Sequence, residues 1–245
     1  MIITGGHFTS GIHLQKVDLP GAPDIVTANL YANYDAVTVT TSTFPDSSGN
    51  NRDATLFNSP ANVTVNGTRV LQLSSASSQF FGNTAGYGTD LDSEFTFDVW
   101  CYPTSTGTAG TLISEWSNGT WDSGWQDNQM GFTNVDIRAG VYPTGGTVAK
   151  DSWTANTWYH IVMTYDSAGV KTYVNNVAGS TTSGEKQSPG GTFLSMGIPN
   201  ADYLGGVEGY FNGYIGAWKI YDRALTVEEI AQNYNALLPR YTAPG

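Results

Sequence analysis

A short segment near the middle of the chain combines aromatic side chains with polar ones. It contributes six residues suited to sugar contacts: Trp116, Trp121, Trp125, Asp122, Gln126 and Asn128. The C–H faces of sugars pack on aromatic rings, while amide and carboxylate groups bind sugar hydroxyls. The segment therefore predicts a carbohydrate-binding loop. The alternative is structural: Trp116 ends a strand, and the other two rings fold back onto the edge of the fold.

A second segment gathers oxygen-bearing side chains. Its four candidate metal ligands are Asp46, Asn50, Asn51 and Asp53. Calcium takes six to eight oxygens from carboxylates, amides and carbonyls at about 2.3–2.6 Å. The segment thus predicts Ca²⁺ as the one candidate cofactor. The alternative is a turn over residues 46–50, in which the Asp and Asn side chains bond to nearby backbone groups.

The acids and histidines do not form a catalytic pattern. A retaining glycosidase needs two carboxylates about 5–5.5 Å apart. Asp98 has no second acid on its face of a strand, because Glu94 lies about 13 Å away along an extended chain. Glu115 stands alone on its strand, and the three histidines are scattered. We expect His160 to be a strand residue packed beside Trp158, and the protein not to be an enzyme.

The charge balance excludes several classes of partner. The 245 residues include 10 Lys and Arg against 21 Asp and Glu, a formal net charge of −11. Nucleic acids and anionic membrane surfaces both call for a basic face. No apolar run approaches the ~18–20 residues that span a bilayer. Residues 1–7 lack the pattern of a signal peptide, and the single cysteine, Cys101, has no internal disulfide partner. We expect folding in the cytoplasm and any later exit by lysis.

The scaffold for these residues is predicted to be made of β-strands. Residues 1–28, rich in Gly and Pro, are typical of an N-terminal arm that orders on a partner. Over residues 29–245, short runs of β-branched and aromatic residues alternate with turn residues, as in an antiparallel sandwich. Predicted strands cover 95–102, 111–116, 135–142, 158–165, 170–177 and 213–221. In the first of these, alternation puts four residues on one face: Phe95, Phe97, Val99 and Cys101.

One helix is predicted near the C-terminus. Thr226 and Glu229 have the spacing of a capping box, in which each side chain bonds to the other residue's backbone N–H. Ile230, Tyr234 and Leu238 then recur on one helix face, and the following proline is predicted to end the helix.

Three stretches resemble, in order, the laminin-G-like branch of the concanavalin A-like lectin/glucanase jelly rolls. The first is 44–56, FPDSSGNNRDATL; the second joins 95–103, FTFDVWCYP, to 158–166, WYHIVMTYD; the third joins 211–215, FNGYI, to 220–226, IYDRALT. The resemblance covers about residues 29–240. It implies an all-β fold, a jelly-roll sandwich of two antiparallel sheets with one short C-terminal helix. Relatives often bind an ion at the first stretch, but many also have an acid where this chain has Gly216.

A further resemblance is to structural proteins of tailed bacteriophages. These often carry this fold after a Gly-rich start like residues 1–6, MIITGG, and end on a helix similar to 232–236, QNYNA. It implies a non-catalytic virion protein, either a capsid decoration protein or a fibre or tail adhesin. The arm would bind other virion proteins, a homo-oligomer would form, and the aromatic loop would contact a cell-surface or environmental glycan. The alternative is a soluble lectin-like carbohydrate-binding module with no virion role.

Overall fold

Alternating apolar and polar residues give this chain two antiparallel sheets, and a capped amphipathic stretch gives it one α-helix. The computed structural model describes residues 23–83, 90–91, 93–105, 110–116, 128–143, 145–186, 193–198 and 209–242. Within these ranges the predicted two-sheet jelly-roll sandwich with a C-terminal helix is confirmed. None of the helical residues described forms a helix long and apolar enough to cross a membrane.

Sheet A places the strand around Asp98 at its centre. Its spatial order is β14 (Val177–Thr182), β13 (Gly169–Val174), β12 (Tyr159–Asp166), β7 (Phe95–Pro103), β16 (Gly213–Tyr221), β5 (Thr68–Leu73) and β4 (Ala61–Val65). Strand β1 (Leu30–Asp35) also pairs with β16, beyond the part of β16 that pairs with β5.

Sheet B carries the two segments with candidate ligand-binding residues. Its spatial order is β11 (Gly145–Lys150), β10 (Ile137–Val141), β9 (Asn128–Phe132), β8 (Gly110–Trp116), β15 (Phe193–Met196), β6 (Phe80–Gly82), β3 (Ala54–Phe57) and β2 (Thr43–Phe44). The strand predicted over 135–142 is shorter at both ends. A turn between Thr133 and Asp136 precedes it, and Tyr142 lies in the turn that follows it.

The core lies between the two sheets. The four residues predicted to share a face of β7 are all completely buried there, and Cys101 is a free thiol among them. Burial on this scale supplies the main stabilising term of the fold, about 25 cal/mol per Å² of apolar surface. The opposite face of β7 carries Thr96, Asp98 and Trp100, which are also buried. A second layer therefore covers sheet A from outside.

That layer is helix α1, Val227–Thr242. The predicted capping box is confirmed: Glu229 N donates to Thr226 Oγ1 at 3.3 Å, and Thr226 N donates to Glu229 Oε2 at 2.9 Å. The predicted end of the helix is wrong, because Pro239 lies inside it. Contacts of the last turn hold the helix on the sheet: Tyr241 stacks on Trp100, and Arg240 pairs with Asp35 at 2.7 Å.

The buried stripe of α1 also differs from the predicted one. Its buried residues are Ile230, Asn233, Leu237 and Tyr241, while the expected Tyr234 and Leu238 lie half-buried at its margin. An asparagine thus takes the centre of the stripe.

The first described residues run between α1 and sheet A. Val26 is buried, its N–H donates to Asn233 Oδ1 at 2.8 Å, and its carbonyl accepts from the Tyr221 hydroxyl at 2.9 Å. The last residues of the predicted arm, 1–28, therefore pack on the helix, while residues 1–22 lie outside the described part of the chain.

Candidate functional site

One end of sheet B collects both segments that carried candidate ligand-binding residues. Strand pairing aligns the relevant strand ends: Phe193 pairs with Trp116, Val141 with Asn128, and Thr55 with Gly82. We call this end of sheet B the loop rim and define it by the strand ends Ala54, Gly82, Trp116, Asn128, Val141 and Phe193. The Asp46 segment enters β3 here, and segment 117–127 leaves β8 and enters β9 here.

The Asp46 carboxylate is fully engaged by protein donors. Its Oδ1 accepts from the backbone N–H groups of Asn33 and Ser48 at 2.8 and 2.9 Å. Its Oδ2 accepts from the Ser48 hydroxyl at 2.8 Å and from the backbone N–H of Arg52 at 3.0 Å. A carboxylate offers about four lone-pair sites, so this one has none left. The segment has the hydrogen bonding of a side-chain-stabilised turn.

The other three candidate metal ligands flank that turn. Asn50 Nδ2 donates to the carbonyls of Leu30 and Tyr31 at 2.9 and 3.1 Å, and Asp53 Oδ1 accepts from Asp46 N at 2.8 Å. Asn51 is exposed, with a φ of 56°. Among the described residues no three His, Cys, Asp or Glu side chains group around a metal-sized space. An ion here would have to displace donors from Asp46, and calcium binding stays a prediction.

A charged and aromatic cluster braces the turn. The Arg52 guanidinium lies 3.7 Å from the centre of the Tyr31 ring, and the Tyr31 hydroxyl donates to Asp90 at 2.6 Å. Burial and this bond to Asp90 raise the pKa of Tyr31, against the opposing effect of Arg52. Asn83, just past β6, donates to the Arg52 carbonyl at 2.9 Å. These contacts tie the turn to the neighbouring end of sheet B.

A buried ion pair lies beneath the loop rim. Lys186 Nζ is 3.2 Å from Glu115 Oε2, and the two side chains are 0% and 3% exposed. Lys186 Nζ also lies 3.5 Å from the Leu91 carbonyl. Because Glu115 directly precedes Trp116, this pair fixes the point where segment 117–127 leaves the sheet. From the sequence Glu115 stood alone, since its partner is 71 residues away in the chain and no local pattern signals it.

Only the two ends of the predicted sugar-binding segment are among the described residues. Trp116 is the last residue of β8 and Asn128 the first of β9. The other four candidates lie outside the described residues: Trp121, Asp122, Trp125 and Gln126. The two ends are neighbours in the sheet, because Ser114 pairs with Gln129. The segment is therefore rooted at both ends on the loop rim.

Asp98, one of the acids considered from the sequence for catalysis, lies elsewhere, beneath α1. Asp98 Oδ1 is 3.1 Å from His160 Nε2 and 3.5 Å from Lys219 Nζ, with all three side chains 2% exposed or less. Neither short contact is aligned as a hydrogen bond; the aligned one comes from Asn233 Nδ2 to Asp98 Oδ2 at 2.8 Å. Burial raises the pKa of Asp98, but Lys219 and His160 outweigh it and hold this pKa well below its usual range.

His160 also differs from the prediction in its neighbour. It stacks on Trp100 at 5.0 Å and not on Trp158, because strand pairing sets it opposite Trp100. Closed between sheet and helix, the cluster of Asp98, His160, Lys219 and Asn233 meets no solvent. Its chemistry is that of a structural charge network.

Comparisons with known proteins agree with this architecture. The chain matches the Laminin_G_3 family, described as the concanavalin A-like lectin/glucanases superfamily, over residues 81–231. No curated protein matches its sequence.

Two solved structures are similar in fold. Trypanosoma rangeli sialidase in complex with sialic acid has a TM-score of 0.66 at 15% identity, covering 89% of this chain and 34% of the sialidase. Domain 4 of AbnA, a GH43 extracellular arabinanase from Geobacillus stearothermophilus, in complex with arabinotriose, has a TM-score of 0.60 at 17% identity, covering 85% of this chain and 98% of that domain. This chain thus spans about a third of the length of the sialidase.

Proposed function

Because the chain belongs to the concanavalin A-like lectin/glucanases superfamily, we propose that it is a non-catalytic domain that binds glycans at its loop rim. The observation that carries this proposal is the rooting of a tryptophan-rich segment on the ends of two paired strands, at Trp116 of β8 and Asn128 of β9. The buried Glu115–Lys186 pair holds one of these ends in place. A binding site gains affinity when its support is rigid before the ligand arrives.

The ligand class follows from the residues of that segment. Tryptophan rings offer apolar faces to sugar C–H groups, and the Asp, Gln and Asn side chains offer partners for hydroxyls. The similar structures were solved with sialic acid and with arabinotriose, which makes acidic monosaccharides and neutral pentose oligomers reasonable first ligands to test.

The proposal is for binding without catalysis. The acid of the central strand, Asp98, is closed beneath α1, and Glu115 is neutralised by Lys186. A hydrolytic pair needs one carboxyl to give up a proton and another to attack or activate water at an open cleft. Neither of these two acids is available for that role.

We further propose that this domain is displayed on a virion, as a capsid decoration protein or a fibre or tail adhesin. Support comes from the bacteriophage resemblance of the two chain ends, not from the fold. Residues 1–22 would bind other virion proteins, several copies would assemble, and the particle would leave the host by lysis. A soluble lectin-like module without a virion role is the second candidate, favoured by the similarity to the single arabinanase domain.

A glycan array with the full chain tests the binding proposal. We expect the wild type to bind a subset of glycans and the double variant Trp121→Ala/Trp125→Ala to bind them at least about tenfold more weakly, since 1.4 kcal/mol is tenfold in affinity. Trp153→Phe, which changes a tryptophan at the other end of the sandwich, serves as the control. Binding by the double variant equal to that of the wild type would disprove a role for the loop rim.

Localisation on particles tests the virion proposal. Immunogold labelling or cryo-EM of particles from a lysate should show regular copies on the capsid or a cluster on the tail. Absence of the chain from purified particles would leave the soluble module.

A further inference from the structure

A row of aromatic side chains crosses the outer face of sheet A, away from the loop rim's sheet. Strand pairing sets Tyr214 opposite Tyr102, and Trp158 contacts Tyr102 with ring centres 5.3 Å apart. Tyr214 lies 5.6 Å from Tyr102 on the other side and pairs with Gln72 of the next strand. We call Trp158, Tyr102, Tyr214 and Gln72 the aromatic track.

The track borders the area that α1 covers, and its Trp158 end contacts the helix. All four of its side chains are half-buried, whereas Trp100, one step along β7, is completely covered by the helix. Tyr241, in the last turn of α1, bounds the track on the side of the helix. Its ring packs on Trp158, with ring centres 4.4 Å apart. It fits because residue 216 is glycine: a Cβ there would lie 2.4 Å from the Tyr241 ring.

The polar atoms of the track are available to a ligand. Within the described part of the chain, the hydroxyls of Tyr102 and Tyr214 and the Trp158 indole N–H have no hydrogen-bond partner. The opposite border of the track is polar and neutral, with Thr104 and Asn212 bonded to each other at 2.9 Å. Rings with apolar faces beside free hydroxyl and amide groups suit a sugar chain.

The charge of the track selects among sugar chains. None of its residues is charged. Along the neighbouring parts of the strands, Asp98 and Lys219 are buried and paired, and Arg69, three residues from Gln72 on β5, donates to Asn62 Oδ1 at 3.1 Å. The whole chain carries a net charge of −11, which disfavours an acidic polymer on a track that has no basic side chain of its own. From Trp158 to Gln72 the track crosses four neighbouring strands, about 14 Å at ~4.8 Å per strand spacing. That length accommodates several consecutive sugar rings.

We propose that the aromatic track is a second carbohydrate-binding surface, which takes an uncharged polysaccharide chain lying across the strands of sheet A. This inference rests on the proposed glycan-binding function but involves a different face of the molecule. The two surfaces would allow one domain to hold a polymer on sheet A and a separate glycan at the loop rim.

Native gel electrophoresis through embedded polysaccharides tests the track with the full chain. The neutral probes are hydroxyethylcellulose, xyloglucan and arabinan, and alginate is the acidic probe. We expect at least one neutral probe to retard the wild type and alginate not to. Tyr102→Ala/Tyr214→Ala should bind at least about tenfold more weakly, and Tyr102→Phe/Tyr214→Phe, which keeps both rings, should stay closer to the wild type. Thermal unfolding checks that each variant is folded, and Gln72→Ala/Tyr214→Ser replaces the double alanine variant if it is not.

The two binding proposals fail separately. Retardation of Trp121→Ala/Trp125→Ala equal to that of the wild type supports an independent track, whatever that variant does on the glycan array. The track is overturned if no neutral probe retards the wild type, if alginate retards it equally, or if the tyrosine-to-alanine variant is retarded like the wild type. The proposal is also overturned if Tyr102→Ala/Tyr214→Ala changes migration only because it converts an oligomer to a monomer. In that case the track would be a contact between copies of the chain.

Discussion

The carboxylate of Asp98 lies without solvent access beside Lys219 and His160, and the three come from adjacent strands of sheet A. Removing one member of a buried charge pair leaves the other uncompensated, which costs about 3–5 kcal/mol. We therefore expect Asp98→Ala to lower the free energy of unfolding by that amount in urea titrations. The double variant Asp98→Ala/Lys219→Met should recover much of the loss, because it buries no unpaired charge.

An exposed ion pair of the same sheet provides the control. Lys171 and Asp166 are 3.0 Å apart, but their side chains are 41% and 23% exposed. Lys171→Ala should cost less than about 1 kcal/mol, as exposed pairs do. Equal losses for Asp98→Ala and Lys171→Ala would contradict the assignment of Asp98 to a buried network.

Acid should weaken the fold through the same carboxylate. The folded-state pKa of Asp98 lies well below the ordinary value of 3.8, so the unfolded chain binds protons first as the pH falls. Its contribution is complete above about pH 4 and is lost as the pH falls through the folded-state pKa. Glu229, whose pKa is lowered by its bonds to Arg223, acts in the same direction.

Urea titrations at a series of pH values measure this effect. The free energy of unfolding should decrease below about pH 4, and Asp98→Asn should have a shallower decrease than the wild type because its side chain cannot take up the proton. Parallel curves for the two proteins would show that Asp98 does not contribute to the acid sensitivity.

At the scale of elements, hydrogen bonds to the Asp46 side chain explain the conformation of the turn around it without a bound ion. Four donors fill its carboxylate, so Asp46→Asn should lower the melting temperature by the same amount in Ca²⁺ and in EDTA. Differential scanning calorimetry measures both. Asn33→Ala, which removes a side-chain bond to Ser47 and leaves the carboxylate bonds in place, is the matched control. A Ca²⁺-dependent rise in melting temperature that Asp46→Asn abolishes would establish the calcium site instead.

Elements with a local pattern were predictable from sequence, and those that depend on distant partners were not. Alternation located β7 and its buried face, and the capping box located the start of α1. The end of α1 was not predictable, because contacts of Tyr241 with distant aromatic residues extend the helix past Pro239. The same holds for the buried polar contacts, since Asn233 meets Asp98 across 135 residues. The sequence also could not predict that the Asp46 segment and segment 117–127 lie at the same loop rim, because that depends on how the strands of sheet B pair.

At the scale of the molecule, the chain enters the fold between α1 and sheet A. There Val26 bonds to both Asn233 and Tyr221, and Ile25 packs with the aromatic residues under the helix. Residues 23–28 are thus part of the folded domain, although the sequence assigned them to the arm. Deleting residues 1–22 and deleting residues 1–28 should therefore have different effects. The comparison separates attachment to a particle from the stability of the domain.

Deletion of residues 1–22 should leave the free energy of unfolding and glycan binding unchanged and abolish incorporation into particles, if the arm binds virion proteins. Deletion of residues 1–28 should also lower the free energy of unfolding by about 3 kcal/mol or more. It removes the buried Val26 side chain, about 1.5–3 kcal/mol, and leaves Asn233 and Tyr221 short of partners in the interior. Urea titrations and particle co-sedimentation measure the two effects. Equal stability of the two deletion variants would contradict the role of Val26, and co-sedimentation of the shorter deletion with particles would place attachment elsewhere in the domain.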